Sequence, residues 1–241
     1  MKRIFVVALL LISLLSSCTR QDEKIVFEGK ISNHKKGKIY LSHFNPDETV
    51  VIDSATIHKG TFKIVLKNKK LTQEPTYYIL SLTPENNIRT IARGGEHLII
   101  NADASSLVKS YTIQGGEDAV LMWELDQKLK QFIDTVDQLV AFHTVNITND
   151  SARMYVETIY MELVDQHTTY LESFIEKNKH SLASLSAFYQ IYSRRRFLDE
   201  YENLPILKEI HTELQNRYPN NENVQYIARR IEKLEIQNAD K

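Results

Sequence analysis

The stretch Thr61-Phe62-Lys63-Ile64-Val65-Leu66-Lys67 sets the pattern for the first half of the chain. Its bulky apolar side chains Phe62, Ile64 and Leu66 recur at every second position, with Lys63 and Lys67 on the other face. Alternate residues of a β-strand share one face, so this pattern predicts a strand with one face buried. Similar short segments predict further strands at Ile25–Ile31, Lys38–Phe44, Thr49–Ile57, Thr76–Leu82, Ile88–Ala92, His97–Asn101 and Tyr111–Gln114.

Turn-forming residues separate these segments. Examples are Asn45-Pro46-Asp47, His58-Lys59-Gly60, Pro84-Glu85-Asn86-Asn87 and Gly94-Gly95. About eight strands at roughly ten-residue spacing, with no helix between them, are typical of an antiparallel sandwich or barrel. We therefore expect a β-sandwich or barrel domain over residues 25–115.

After Gly115-Gly116 the spacing of apolar residues becomes helical. One stripe steps by four and three residues, which predicts a helix over Glu117–His143; it consists of Leu125, Leu129, Phe132, Val136 and Leu139. Further helices are predicted at Ser151–Lys177, Leu182–Tyr192, Pro205–Tyr218 and Asn223–Gln237. Residues 116–241 are thus expected to form a bundle of about five helices, and the fold class is α+β.

Two helices allow more detailed predictions. In the helix over Ser151–Lys177, Asp150 or Ser151 is expected as N-cap. The side chains predicted to face its core are Ile159, Leu163, Tyr170 and Phe174. Pro205 suits the first turn of the helix over Pro205–Tyr218.

The start of the chain has the three parts of a secretory leader. Two cations, Lys2 and Arg3, precede an apolar run from Ile4 to Leu15, and small residues lead into the only cysteine, Cys18. Leu15-Ser16-Ser17-Cys18 resembles a lipobox, the cleavage and acylation signal of bacterial lipoproteins. The resemblance implies a signal peptide over residues 1–17, a lipid on Cys18 and a polar tether over residues 18–24. An uncleaved anchor and a secreted protein with a chance cysteine are the alternatives.

Residue 19 bears on the destination. An aspartate there retains lipoproteins in the inner membrane of some Gram-negative bacteria, and this chain has Thr19. We therefore expect a cell-envelope protein anchored in the outer membrane and facing the periplasm. Exposure on the outer face of that membrane is the alternative.

Charge and cysteine content exclude several classes of function. Loss of Lys2 and Arg3 with the leader leaves 28 basic against 31 acidic residues, a net charge of −3 that does not suit nucleic-acid binding. With Cys18 acylated, no thiol remains for a redox pair, a disulfide or a thiolate metal site.

No motif of metal or nucleophilic catalysis stands out. The eight histidines lack the His-x-His, His-x-x-x-His and Glu-x-x-His spacings of metal sites. There is no Gly-x-Ser-x-Gly elbow, and Gly94-Gly95 and Gly115-Gly116 lack the context of a phosphate-binding loop. We predict no catalytic residue, no metal and no cofactor.

Three other features have alternative interpretations. His167 is expected to be a hydrogen-bonded core residue rather than a ligand. Arg194-Arg195-Arg196 is expected to close a helix at its C-terminus, with docking to an anionic partner or phospholipid as the alternative. Aromatic residues either pack in the core or line a ligand groove; they include Tyr77, Tyr78, Trp123, Tyr155, Tyr160, Tyr189 and Tyr192.

Three stretches of the first half carry a resemblance to a known family. They are Phe27-Glu28-Gly29-Lys30-Ile31, Gly37-Lys38-Ile39-Tyr40-Leu41, and Val51–Ile64 with its Gly60 and Phe62. Together they resemble an N-terminal domain of unknown function in Gram-negative envelope lipoproteins. In those proteins the domain usually precedes a thioredoxin-like oxidoreductase domain with a Trp-Cys-x-x-Cys site. Here Trp123 is far from any cysteine and the sequence given stops at Lys241, so the resemblance implies no catalytic residue.

The expected function is a non-catalytic, lipid-anchored binding or scaffolding module. Expected partners are the membrane, through the lipid, and either another envelope protein or a second copy of the chain. From Lys24 to Gly115 there are 13 basic and 8 acidic residues, and from Gly116 to Lys241 there are 14 and 21, a contrast that suits docking. The alternative is a receptor for a small ligand or glycan in a groove between the halves. An enzyme with an unrecognised site is the third hypothesis.

Overall fold

The computed structural model describes residues 24–67, 71 and 73–239. Cys18, the predicted leader and nearly all of the predicted tether lie outside these described residues. None of the described helices is long and apolar enough to cross a membrane.

Eight strands form one sheet, and all eight strand predictions are confirmed within two residues at each end. The strands are β1 (Ile25–Ser32), β2 (Lys36–Phe44), β3 (Thr49–His58), β4 (Thr61–Leu66), β5 (Thr76–Ser81), β6 (Asn87–Ala92), β7 (His97–Asp103) and β8 (Thr112–Gln114). The sheet curls into half a barrel, so the α+β fold class is confirmed.

The strand order is β6-β5-β2-β3-β4-β1-β7-β8. All neighbours are antiparallel except β1 and β7, which run parallel with Val26 opposite His97 and Ser32 opposite Asp103. This parallel pair departs from the expected antiparallel sheet. Alternation along a strand reports which face is buried, but it carries no information about which strand lies alongside.

The concave face of the half-barrel holds one hydrophobic core. As predicted, Phe62, Ile64 and Leu66 are buried there, together with residues such as Phe27 and Tyr78. The rings of Phe27 and Tyr78 meet edge to face with centroids 5.3 Å apart, a favourable geometry for an aromatic pair.

Helices cover the open side of the half-barrel between its outermost strands, β6 and β8. The short helix α1 (Leu107–Ser110), which was not predicted, contacts β6 and β7, and the long helix α2 (Glu117–Val145) contacts β6 and β8. The backbone N–H of Leu107 donates to Asn86 Oδ1 over 2.7 Å, and Trp123 Nε1 donates to the Tyr111 carbonyl over 2.9 Å. The two helices therefore take the place of the strands that would complete a barrel.

The remaining helices build a second hydrophobic core outside the sheet. They are α3 (Asp150–Asn178), α4 (Ala183–Phe188), α5 (Leu204–Arg217) and α6 (Glu222–Ala239). The five predicted helices are confirmed, although α4 is shorter than predicted. The sheet contributes Tyr77 and Ile91 to this second core. Its helical side includes Leu125, Phe132, Leu207, Ile210, Leu214, Val224, Ile227, Ile231 and Leu234.

Helix α3 differs from its prediction in two details. Its N-cap is Asn149, whose side chain accepts from the backbone N–H of Ala152 over 3.1 Å, so the prediction of Asp150 or Ser151 is wrong by one or two positions. Of the four predicted inward residues only Phe174 is fully buried, while Ile159, Leu163 and Tyr170 are half-buried. The fully buried positions are Ala152, Val164, His167, Leu171, Phe174 and Ile175.

The three arginines do not end a helix, so that prediction is wrong. They belong to a small hairpin of β9 (Ile191–Tyr192) and β10 (Arg195–Arg196). Its two turn residues, Ser193 and Arg194, have φ of 46° and 74°. Two consecutive left-handed residues characterise a type I′ hairpin turn, and this geometry interrupts a helix.

The ends of α2 and α3 form a hairpin with little buried surface, which we call the distal arm and define as residues 138–159. Among its side chains only Ala152 is buried. The exposed apolar residues of the distal arm are Val140, Phe142, Val145, Ile147, Met154 and Tyr155.

Candidate functional site

A groove of about 670 Å³ lies between the sheet and the helices, and we call it the interface groove. Small-molecule sites in proteins typically occupy about 300–1,000 Å³ and often lie where two structural units meet. Its walls come from β2, β5, β6, α1, α2, α4, the β9–β10 hairpin and α6.

The sheet wall is the outer face of β2, β5 and β6. Cross-strand pairing places Phe44 beside Tyr77, and Tyr77 beside Ile91. Arg89 lies two residues before Ile91 on the edge strand β6 and therefore shares its face. This wall thus carries aromatic rings at its buried end and a guanidinium towards solvent.

Tyr77 joins the sheet wall to the helical wall. Its hydroxyl donates to the Leu182 carbonyl over 2.6 Å and accepts from Ser186 Oγ over 3.2 Å. Burial raises the pKa of Tyr77 above its ordinary value, so the hydroxyl stays protonated and keeps donating at neutral pH. The relative position of the two walls is therefore fixed by hydrogen bonds as well as by packing.

Two arginines stack on aromatic rings of the groove. The Arg89 guanidinium lies 5.4 Å from the centroid of Phe44, and that of Arg196 lies 5.9 Å from the centroid of Tyr189. Arg196 also lies 3.9 Å from Glu200. Among the described residues Arg89 lines the groove without a salt bridge or a hydrogen bond.

Glu200 and Arg230 form a two-point ion pair at the side of the groove. Arg230 Nε donates to Oε1 over 3.1 Å and a terminal nitrogen donates to Oε2 over 2.5 Å. These hydrogen bonds hold the pKa of Glu200 below its ordinary value. Since the Glu200 side chain is only 10% exposed, its charge is balanced by Arg230 rather than by water.

Asp126 brings a second carboxyl to the groove, from α2. It accepts a hydrogen bond from the Tyr111 hydroxyl over 2.7 Å, and burial raises the pKa of Asp126. Both groove carboxyls are therefore already engaged by protein donors. The side chains best placed to meet a ligand are therefore Arg89 and the aromatic rings.

His167 lies behind the helical wall and packs among the rings of Phe132, Tyr170 and Phe197. Its Nε2 pairs with Gln190 Oε1 over 2.6 Å, and Gln190 lines the groove. Burial lowers the pKa of His167, which favours the neutral ring. Nδ1 is buried without a partner among the described residues. The predicted core position is confirmed, but only one of the two ring nitrogens is hydrogen-bonded.

Of the aromatic residues considered from sequence, Tyr77 and Tyr189 line the groove. Trp123 and Tyr78 belong to the sheet core, and Tyr155 lies on the distal arm. Tyr160 and Tyr192 pack against the helical core. Phe44, Arg89 and Tyr226 have no sequence signal for a groove, because residues from eight separated elements meet there only through the tertiary fold.

The chemical groups of the groove are of kinds that bind ligands. Within residues 24–67, 71 and 73–239, no group of three or more His, Cys, Asp and Glu side chains is placed to hold a metal ion. The groove offers a stacking surface, a free guanidinium and amide groups. Such a combination recognises a ligand with a flat or ring-shaped body and a negative group.

Residues 25–122 match a family model described as a domain of unknown function (DUF4369). The match covers the entire half-barrel and the first residues of α2. The sequence resemblance is therefore supported at the level of a domain of unknown function. No curated protein matches the chain at a significant level.

Proposed function

We propose that the chain is a lipid-anchored protein of the bacterial cell envelope that acts as a non-catalytic binding module, with its ligand in the interface groove. The observation that carries this proposal is the groove itself, a concave site of ordinary ligand-site volume with Arg89 unpaired at its mouth. The ligand is a small molecule or glycan that carries a carboxylate or another anionic group.

The anchor is proposed from the sequence. The leader, the lipobox and Cys18 predict an acylated N-terminus, and several acyl chains at about 0.8 kcal/mol per buried methylene give stable attachment to a membrane. Periplasmic exposure at the outer membrane is the proposed location. The groove would then face the envelope space at a distance set by the short polar tether.

The envelope also offers protein partners. The resemblance to the N-terminal part of thioredoxin-type lipoproteins supports a scaffolding role beside another envelope protein. Affinity purification of the acylated protein from its own membrane, followed by identification of the proteins that come with it, tests this role. Purification of the chain alone would argue against a stable protein partner.

The ligand proposal is tested by thermal-shift measurements with carboxylated oligosaccharides, their neutral counterparts and short acidic peptides. Ligands that bind the folded state raise the melting temperature. We expect a carboxylated saccharide to give a shift that Arg89→Gln and Tyr226→Ala each reduce. Arg195→Gln and Tyr201→Ala are matched controls, because Arg195 is exposed outside the groove and both tyrosines are 38% exposed.

Two outcomes would contradict the ligand proposal. One is that no member of the panel raises the melting temperature. The other is that a shift is equally large in the groove variants and in the controls, since binding would then occur elsewhere. The anchor is tested separately by mass spectrometry of the mature N-terminus, where an unmodified thiol on Cys18 would overturn lipidation.

A further inference from the structure

We infer that the distal arm is a self-association surface, through which two copies of this chain pair by laying their α2–α3 hairpins side by side. The inference is independent of the interface groove. It rests on the exposed apolar area of the arm, on its charge and on its geometry.

The first observation is the exposed apolar area. Val145 is 84% exposed, Ile147 68% and Met154 65%, and three more apolar residues of the arm are at least 44% exposed. Together the six side chains present on the order of 600 Å², the upper end of the range for the largest apolar patch on a typical monomer. A standard interface buries about 800 Å² on each partner, which the apolar patch and its polar neighbours can supply.

The second observation is the near-neutral charge of the arm. Its charged residues are Asp150, Arg153 and Glu157, and Arg153 already lies 3.3 Å from Asp150. Segments that lie on membranes are rich in lysine and arginine, which argues against a lipid surface as the occupant. A strongly charged partner is also disfavoured, because the arm has too little net charge to attract it. A second copy brings an equally near-neutral surface and little repulsion.

The third observation is the geometry. The arm is an antiparallel pair of helices, braced by the ring contact between Phe142 and Tyr155 at 5.8 Å. Two such hairpins side by side make a four-helix bundle, the common way of burying apolar stripes on paired helices. A twofold axis between the arms closes the assembly at a dimer.

Sedimentation velocity of the leaderless chain, from residue 19 onward, tests this inference. We expect a dimer at micromolar concentration, and we expect Val145→Glu combined with Met154→Glu to weaken dimerisation by more than about tenfold. Ile236→Glu is the matched control, because Ile236 is a 58% exposed apolar residue on α6, outside the arm. Circular dichroism establishes that the variants fold.

A second experiment uses the full chain in its membrane. Cys18 is the only cysteine, so Met154→Cys introduces a single new thiol. A short bis-maleimide should cross-link this variant into covalent dimers, whereas Ser54→Cys on the sheet should not be cross-linked. A monomeric wild type, or a dimer that the arm variants leave unchanged, would overturn the inference. The inference would also be overturned if the wild-type protein bound lipid vesicles through the arm, so that Val145→Glu combined with Met154→Glu abolished the binding.

Discussion

Gly29 shows how closely the central strands of the sheet approach one another. It lies on β1 opposite Phe62 of β4 on one side and Ile100 of β7 on the other. A Cβ atom at this position would lie 1.7 Å from the carbonyl oxygen of Ile100. Any side chain larger than hydrogen must therefore push β1 and β7 apart.

We predict that Gly29→Ala lowers the free energy of unfolding by about 3 kcal/mol or more, since the clash is with backbone that cannot rotate away. Urea denaturation followed by circular dichroism measures the effect. Lys30→Ala is the neighbouring control, and its exposed side chain should change stability by less than about 0.5 kcal/mol. A mild effect of Gly29→Ala would mean that β1 and β7 are not paired in this register.

At the scale of elements, the β9–β10 hairpin contains backbone strain that substitution can relieve. Arg194 has a φ of 74°, a left-handed conformation that glycine adopts without penalty. Glycine is the preferred residue at this position of a type I′ turn. The arginine therefore occupies the position at a cost in stability.

We predict that Arg194→Gly stabilises the protein by about 0.5–1 kcal/mol, whereas Arg194→Val destabilises it by about 1 kcal/mol or more. Thermal unfolding of the two variants checks the opposite signs. In the control, Arg195→Gly should destabilise the protein slightly. Residue 195 lies in a strand, where glycine brings no relief of strain and increases the conformational entropy of the unfolded chain. Equal effects at the two positions would rule out a strained turn.

The elements differ in how well the sequence predicts them. Strong alternation in β4 and strict helical spacing in α5 and α6 identify both the element and its buried face. Helix α3 is apolar on several faces, so the predicted stripe through Ile159 and Leu163 lies beside the real one through Val164 and His167. Helix α1 has only four residues, too few for a period to be visible.

The candidate site could not be predicted to the same degree. Tyr77 and Tyr189 were considered for a groove, but Phe44, Arg89 and Tyr226 had no local signal. The sequence around Arg89 predicts only a polar residue of a strand. The packing of α6 and the β9–β10 hairpin makes it part of a cavity. Groove formation is a property of tertiary packing, which periodicity does not report.

At the scale of the whole molecule, buried carboxyls and histidines both influence how stability varies with pH. Burial raises the pKa of Asp118, Asp126 and Glu96. As pH rises above about 4, the unfolded chain releases these protons before the folded one does, so stability falls with rising pH. Glu200 has the opposite sign: hydrogen bonds from Arg230 lower its pKa, and its contribution is lost as pH falls below about 4.

Burial also lowers the pKa of His167 and His211, so these two groups make stability rise with pH up to about 6.5. We therefore predict that the three buried carboxyls make stability fall with rising pH above about 4, against this rise from the histidines. Asp118→Asn combined with Asp126→Asn should gain stability relative to the wild type as pH rises above about 4, because the amides cannot ionise yet can still accept from Ser181 and Tyr111. Urea midpoints measured from pH 4 to 8 test this profile. Glu232→Gln, at an exposed carboxyl, is the control. A pH profile that is unchanged in the double variant would contradict the prediction.

The parallel pairing of β1 with β7 has a consequence for the order in which the molecule forms. Lys30 meets Asn101 across a separation of 71 residues, so β1 remains open along one edge until most of the sheet has been made. Contacts so distant in sequence slow folding, because the intervening chain must lose conformational entropy on loop closure before these contacts can form. β1, the first of the described strands, is therefore completed only after β7 has formed, and until then its unpaired edge is open to pairing with a wrong strand.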